Sequence, residues 1–147
     1  MSDDTIVLRT CAADMRSYGG FLWARAGHVV APAWSDSPED YDNGLFGLEL
    51  GRGYAGMLRW EPSARWLLVN VDERCIVRLD GKVKFREGNV IFCGERDAAI
   101  AQLCDLRGSN HKTVVHEVLD AVKRARPRLY PITWWDSLTQ RWKTTEL

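Results

Sequence analysis

The strongest constraint on this fold is a regular alternation of side chains over residues 66–72. In an extended chain, successive residues point to opposite faces of a sheet. One face of this segment is aliphatic and the other is mixed: Leu67, Val69 and Val71, against Leu68, Asn70 and Asp72. The alternation predicts a β-strand that is buried on one face and partly exposed on the other.

Several other segments before residue 94 have the composition of strands. They are rich in β-branched and aliphatic residues and are separated by glycine, proline or acidic residues. The predicted strands are residues 5–11, 21–30, 45–50, 76–79 and 83–85, with a hairpin turn at 86–89 that leads into 90–93. Residues 31–43 contain two prolines and four acids, and they predict an exposed acidic loop.

The pattern changes from strand to helix after the last of these strands. Asp97 is placed to cap a helix that Gly108 ends. A second helix, over about residues 110–126, is predicted from an apolar stripe that finishes in basic residues before a proline. A short third helix, over residues 133–142, is predicted from the capping-box spacing at its start.

Together these segments predict an α+β fold in a single domain, residues 1–147. A mainly antiparallel, twisted sheet is expected over about residues 5–93, followed by C-terminal helices. Within the domain we distinguish a β-rich part, about residues 9–103, from a C-terminal helical extension, about residues 107–147. No internal repeat is found in the sequence.

Composition and charge narrow the compartment and the partners. Twenty basic residues balance twenty acidic ones, so net charge does not favour nucleic-acid binding. The acidic start and the interrupted apolar runs predict neither a signal peptide nor a membrane span. The four cysteines are irregularly spaced, which predicts reduced thiols. We therefore expect a cytoplasmic protein.

Motifs for cofactors and metals were tested against simpler interpretations. Gly51, Gly53 and Gly56 have the spacing of a dinucleotide-binding loop, but the chain continues towards a strand rather than into the helix that such a loop needs. No close pair of cysteines or histidines has the spacing of zinc ligands. We expect no cofactor and no tightly bound metal, and the sequence marks no catalytic residue, which leaves enzymatic activity undecided.

Several blocks in order resemble a small family of uncharacterised domains from bacteria and their phages. The family pattern is M-x-S-x-G-G-F-x-W, A-P-x-W, N-G-L-H-G, G-K-V-K-F and C-G. The matching residues here are Met15-Arg-Ser17-Tyr-Gly19-Gly20-Phe21-Leu-Trp23, Ala31-Pro32-Ala-Trp34, Asn43-Gly44-Leu45-Phe46-Gly47, residues 66–72, Gly81-Lys-Val-Lys-Phe85 and Cys93-Gly94. The resemblance covers roughly residues 9–103. Phe46 stands where the pattern has histidine, which favours binding over catalysis.

The resemblance and the lack of a catalytic motif lead to our first functional hypothesis. It is a small non-catalytic protein that binds a macromolecule, expected to be a protein, such as a phage or mobile-element inhibitor of a host defence factor. The partner-binding face would be an aromatic stripe outside the family-like region: Trp134, Trp135, Leu138 and Trp142. The same stripe could instead dock on the protein itself, an alternative that the sequence slightly favours.

The second hypothesis is a small enzyme or ligand-binding domain that acts on a nucleotide-like molecule. Its cleft would be walled by tryptophans and the glycine loop, with basic and amide side chains as polar contacts. The candidate ligand-binding residues are Arg9, Trp23, His28, Trp34, Asn43 and Arg52. The two hypotheses differ in whether these side chains converge in one cleft.

Overall fold

The structure of the chain is a computed structural model, which describes residues 4–107, 132–136 and 141–145. It contains nine strands and one α-helix in these ranges. In chain order they are β1 (Asp4–Cys11), β2 (Gly27–Val30), β3 (Leu45–Glu49), β4 (Arg65–Asp72), β5 (Ile76–Arg78), β6 (Val83–Phe85), β7 (Glu87–Gly94), α1 (Arg96–Arg107), β8 (Ile132–Asp136) and β9 (Arg141–Thr145).

The first seven strands form one sheet in the order β2-β7-β4-β1-β3-β6-β5. Every pairing in this sheet is antiparallel. The prediction of a mainly antiparallel sheet before residue 94 is therefore confirmed, although the predicted strand over residues 21–30 is reduced to β2. The longest ladder joins β1 and β4 and runs from Asp4 opposite Asp72 to Cys11 opposite Arg65.

The predicted hairpin turn at residues 86–89 is wrong. A single residue, Arg86, separates β6 from β7, and β7 pairs with β4 and β2 rather than with β6. Gly88 lies inside β7, where an added Cβ would come within 2.8 Å of Val69 Cγ1. The glycine that suggested a turn is needed instead for the close approach of β7 to β4.

β4 is more deeply buried than its alternating pattern predicted. Leu67 and Val69 are fully buried on one face, but Leu68 on the other face is fully buried too. The reason is that α1 and the segment before β4 cover this second face, where Leu68 packs in one cluster with Trp60 and Ile100. The predicted difference between the faces remains at the end of the strand, where Asn70 is only partly buried.

The sheet separates two hydrophobic clusters. The first lies under α1 and includes Trp60 and Trp66, whose rings meet edge to face with centroids 5.1 Å apart. The second lies on the opposite face and is filled by Trp23 and Met15 from the segment between β1 and β2. Since each face of the sheet has its own covering layer, the family-like part of the chain has a complete core without the C-terminal segment.

The C-terminal segment differs from the predicted extension of helices. α1 confirms the first predicted helix, whereas the second, over 110–126, lies outside the described residues. The third, over 133–142, is wrong, because β8 and β9 form an antiparallel hairpin with Trp135 opposite Trp142. β-branched and aromatic residues favour an extended chain, and this preference overrides the capping-box spacing. The backbone of β8 lies beside α1.

Candidate functional site

A cleft of about 440 Å³ opens beside β1 and β3. Two cations, three aromatic rings and one acid are prominent among its lining residues: Arg9, Lys82, Phe21, Tyr41, Phe46 and Asp42. They come from β1, β3, the segment before β2, the acidic loop and the turn before β6. The sheet therefore brings together residues from five parts of the sequence, and we call this site the Arg9 cleft.

Arg9 is held in place by main-chain carbonyls. Its Nε and Nη2 donate to the Thr10 carbonyl at 2.9 and 2.8 Å, and its Nη1 donates to the Phe46 carbonyl at 2.8 Å. Its Cζ lies 4.5 Å from the ring centroid of Trp23. Burial lowers the pKa of Arg9 to about 10, so the guanidinium is still charged at neutral pH.

No carboxylate among the described residues forms an ion pair with Arg9. The three bonds to carbonyls use three of its five N–H groups and leave one on each Nη atom. Partly buried charges are usually paired with an opposite charge. Arg9 therefore offers the cleft a positive charge and two donors that protein carboxylates do not neutralise.

Lys82 supplies the second positive charge. Its Nζ lies 4.5 Å from the ring centroid of Phe46 and 5.4 Å from that of Tyr41. These distances are within the range of cation–π attraction, which positions the ammonium without a carboxylate. Phe46, identified above as a departure from the family pattern, thus contributes its ring to Lys82 and its carbonyl to Arg9.

Lys84 attaches the acidic loop to the sheet. Its side chain is completely buried, and its Nζ donates to the carbonyls of Ser37 and Asp40 at 2.6 and 2.8 Å. The same Nζ lies 5.4 Å from the ring centroid of Trp34. Since the loop carries Tyr41 and Asp42 into the Arg9 cleft, Lys84 indirectly positions one wall of the site.

Asn43 and Asp40 stabilise the turn at the end of this loop. Asn43 Nδ2 donates to Asp40 Oδ2 at 2.7 Å, and the main-chain N–H groups of Asp42 and Asn43 donate to Asp40 Oδ1. These hydrogen bonds lower the pKa of Asp40 to about 2, with that from the Asn43 side chain as the largest contribution. Asn43 therefore shapes the loop instead of supplying a free contact to a ligand.

The predicted ligand-binding residues converge only in part. Arg9 lines the cleft and Trp23 stacks against it, while Trp34 and Asn43 support the neighbouring loop. His28 lies elsewhere, exposed on β2, with Nε2 3.7 Å from Glu87 Oε1. Arg52 lines a separate cleft of about 320 Å³ beside Arg78. The prediction of one cleft formed by all six residues is therefore wrong.

The glycine loop does not have the form of a dinucleotide-binding loop. It is followed by a single turn of 3-10 helix, Ala55–Met57, and then by the approach to β4. Gly53 has φ +125°, and an added Cβ would come within 2.2 Å of the Gly81 carbonyl oxygen. The glycine is needed for this close approach, and no helix N-terminus follows it to hold a pyrophosphate.

The sequence did not identify Lys82, Tyr41 or Phe21 as site residues. A usable signal was present in residues 81–85, where two lysines alternate with two apolar residues. This pattern places Lys82 and Lys84 on the face opposite Val83 and Phe85. What it does not show is that the acidic loop folds over the same face.

The predicted partner-binding stripe has no established role. Trp134, Trp135 and Trp142 lie on the strands β8 and β9 rather than on one helix, and Leu138 lies outside the described residues. A shared helical face is therefore not formed. Whether these aromatic residues pack inside the protein or against a partner stays a prediction.

Within the described ranges, no three residues among His, Cys, Asp and Glu are grouped so that they could hold a metal ion. Cys11, Cys75 and Cys93 are free thiols. No described helix has both the length and the apolar composition needed to cross a bilayer.

Comparison with known proteins gives one consistent group of relatives. The chain is 34% identical over 100 residues to the ice nucleation protein InaU of Pantoea ananas, covering 67% of this chain and 10% of the relative. It is 36% identical over 99 residues to an ice nucleation protein of Pseudomonas syringae, covering 66% and 8%. With an ice nucleation protein of Xanthomonas campestris pv. translucens, the values are 37% over 97 residues, 65% and 6%. No family model and no solved structure matches the chain.

These relatives correct three predictions. The proteins similar to this chain are named ice nucleation proteins, so its assignment to an uncharacterised bacterial and phage family is wrong. The hypothesis of a phage-related inhibitor of host defence is wrong for the same reason, and so is the alternative of a nucleotide-directed enzyme or ligand-binding domain. The relatives also give no support to a cytoplasmic location. This chain spans a tenth or less of the length of the curated relatives it matches.

Proposed function

We propose that this chain is an accessory module of an ice-nucleating system, and that its task is to bind an anionic group in the Arg9 cleft. The relatives named for ice nucleation support the first part of the proposal. The partly buried guanidinium of Arg9, which no described carboxylate neutralises, is the observation that carries the second. A module of this kind works beside the water that freezes, so the proposal does not restrict it to the cytoplasm.

The surface of the module itself argues against a direct role in ordering ice. An ice template has to present a large and regularly repeated array of groups to water. The strands of this sheet are three to eight residues long, and their sequence contains no repeat. Exposed arginines pair with acids at irregular positions, as Arg78 does with Glu49 and Glu73. The extensive part of a template would therefore belong to another protein.

The composition of the cleft indicates the ligand class. Arg9 and Lys82 provide two positive charges, whereas Asp42, the acid among the lining residues, is exposed. Phe21 and Phe46 offer apolar surface between them. A carboxylate attached to an aromatic or apolar body would pair with the cations and bury its body against the rings.

Benzoate and benzamide are the matched probes for this proposal, because they have nearly the same shape but only benzoate carries a charge. We expect benzoate to bind and to shift the amide resonances around the cleft, and benzamide to bind much less. Arg9→Gln and Lys82→Gln should each weaken benzoate binding about tenfold or more, as expected for a lost charge-assisted hydrogen bond or ion pair. Arg74→Gln is the control, since Arg74 is exposed and pairs with Asp72.

Equal binding of both probes, or unchanged benzoate binding in both cleft variants, would contradict the anion-binding part. The link to ice nucleation needs a separate assay. In the Pseudomonas syringae relative, the matching segment would be replaced by this chain, and the freezing temperature of droplets compared with that of a deletion of the segment. We expect the graft to freeze warmer than the deletion, and the isolated chain to freeze no warmer than buffer.

A further inference from the structure

Three sulfur atoms from distant parts of the chain meet inside the second hydrophobic cluster. The thiol of Cys11 lies 4.0 Å from Met15 Sδ, and the thiol of Cys93 lies 3.9 Å from the same atom. Cys11 ends β1, Met15 lies in the turn that follows, and Cys93 lies in β7. The fold therefore joins a thioether and two thiols at one point.

The spacing of these sulfurs suits a single metal ion. Bonds from a first-row metal ion to cysteine sulfur are about 2.3 Å long, so three sulfurs in a plane around one ion are about 4.0 Å apart. The two measured separations are close to that value. We propose that Cys11, Met15 and Cys93 form a binding site for one Cu(I) ion. Sequence spacing had predicted no metal, because neither pair of ligands is close in the chain.

The main chain holds Met15 in an unusual conformation that aims its side chain at the thiols. Met15 has φ +70°, a left-handed value that is uncommon for a residue with a side chain, and it is 4% exposed. Its N–H donates to the Ala12 carbonyl, and its own carbonyl accepts from the Trp23 N–H, both at 2.8 Å. Strained residues persist where surrounding contacts enforce them, and such positions are common at functional sites.

A buried donor without a partner lies next to the cluster. Arg65 is directly opposite Cys11 in the ladder between β1 and β4, so the two side chains leave the sheet on the same face. Its Nε is buried and, among the described residues, has no hydrogen-bond partner. A buried N–H without an acceptor is rare and calls for an explanation. A thiolate at Cys11 would provide the missing acceptor.

The ligand set selects the ion. Thiolate and thioether sulfurs favour Cu(I), whereas a structural zinc site needs four nitrogen or sulfur ligands. When Cu(I) binds, the Cys11 and Cys93 thiols each release one proton to solvent and no electron is transferred. One positive ion and two thiolates leave one negative charge, which the guanidinium of Arg65 balances. Cys93 is only partly buried, so it offers the ion a route from solvent.

The test is a titration of the reduced, full-length chain with Cu(I) against a chromogenic chelator, combined with X-ray absorption spectroscopy. We expect one equivalent to bind tightly, with sulfur neighbours at about 2.3 Å from the metal. Met15→Leu keeps the volume and removes the sulfur, and Cys93→Ser removes one thiolate. Each should weaken binding by about tenfold or more, and Arg65→Gln by about tenfold, the typical effect of a lost outer-shell partner.

The matched controls remove sulfurs outside the cluster. Met57→Leu, and Cys75→Ser combined with Cys104→Ser, should leave the Cu(I) affinity and the one-to-one stoichiometry unchanged. The proposal is overturned if the native chain binds no stoichiometric Cu(I), or if Met15→Leu binds as tightly as the native chain. Should Cys93→Ser fail to fold, the near-isosteric Met15→Leu and the sulfur coordination of the native chain still decide the question. Neither depends on the Arg9 cleft.

Discussion

The guanidinium of Arg9 lies against the indole of Trp23, with Arg9 Cζ 4.5 Å from the ring centroid. The indole is almost fully buried, and its Nε1 donates to Ser17 Oγ at 3.1 Å. Its ring also meets Phe21 edge to face, with centroids 5.1 Å apart. One tryptophan therefore connects the core of the sheet to the cation of the candidate site, so stability and binding are linked at this position.

Trp23→Ala tests the structural half of this link. Removing a buried tryptophan leaves a cavity and costs about 3 to 5 kcal/mol of the free energy of unfolding, measured by chemical denaturation. Leu22→Ala is the control, because the neighbouring Leu22 is 57% exposed. Its change should be within about 0.5 kcal/mol. Similar losses in the two variants would show that the indole does not hold this part of the core.

Lys84→Met tests the attachment of the acidic loop. The substitution leaves the carbonyls of Ser37 and Asp40 without their donor, and we expect a loss of about 1 to 3 kcal/mol in the free energy of unfolding. Amide hydrogen exchange in the loop should also become faster. Lys82→Met is the matched control, since Lys82 contacts only aromatic rings among the described residues and should cost about 1 kcal/mol or less. Unchanged exchange in the Lys84 variant would refute this role.

Asn43→Ala tests the turn through its effect on pH dependence. Because the pKa of Asp40 is lowered from 3.8 to about 2, its charged form stabilises the fold above pH 3.8, and this contribution is lost as the pH falls towards about 2. Removing the Asn43 amide should raise the Asp40 pKa towards 3.8, as measured by an NMR titration of the carboxyl carbons. The pKa of Asp72, which hydrogen bonds with Arg74 lower to about 2, should not move.

Gly53→Ala tests the close approach in the glycine loop. The new methyl group would collide with the Gly81 carbonyl at a φ that side chains rarely adopt, so we expect a loss of about 1 to 3 kcal/mol or more. Gly19→Ala separates the two effects, because Gly19 also has a positive φ, +83°, but has open space around it. It should cost about 1 kcal/mol, from the backbone alone. An equal cost at both positions would exclude the collision with Gly81.

The local elements of this protein could be predicted from its sequence because they depend on neighbouring residues. Alternation over residues 66–72 predicted β4, and β-branched runs predicted β1, β3 and β5. The same reasoning failed at residues 86–89 and 133–142. In both places, a short turn or capping signal was overridden by β-strand pairing with distant residues, Gly88 with Val29 and Trp135 with Trp142.

The candidate sites were decided by the tertiary structure. Arg9 and Lys82 are 73 residues apart, as follows from their numbers, and they meet because β3 lies between β1 and β6 in the sheet. Cys11 and Cys93 meet at Met15 for a comparable reason, since β4 holds β1 and β7 at a fixed spacing. Side-chain periodicity determines which face a residue occupies, but strand order determines what it faces, and strand order depends on contacts between distant segments that no local pattern contains.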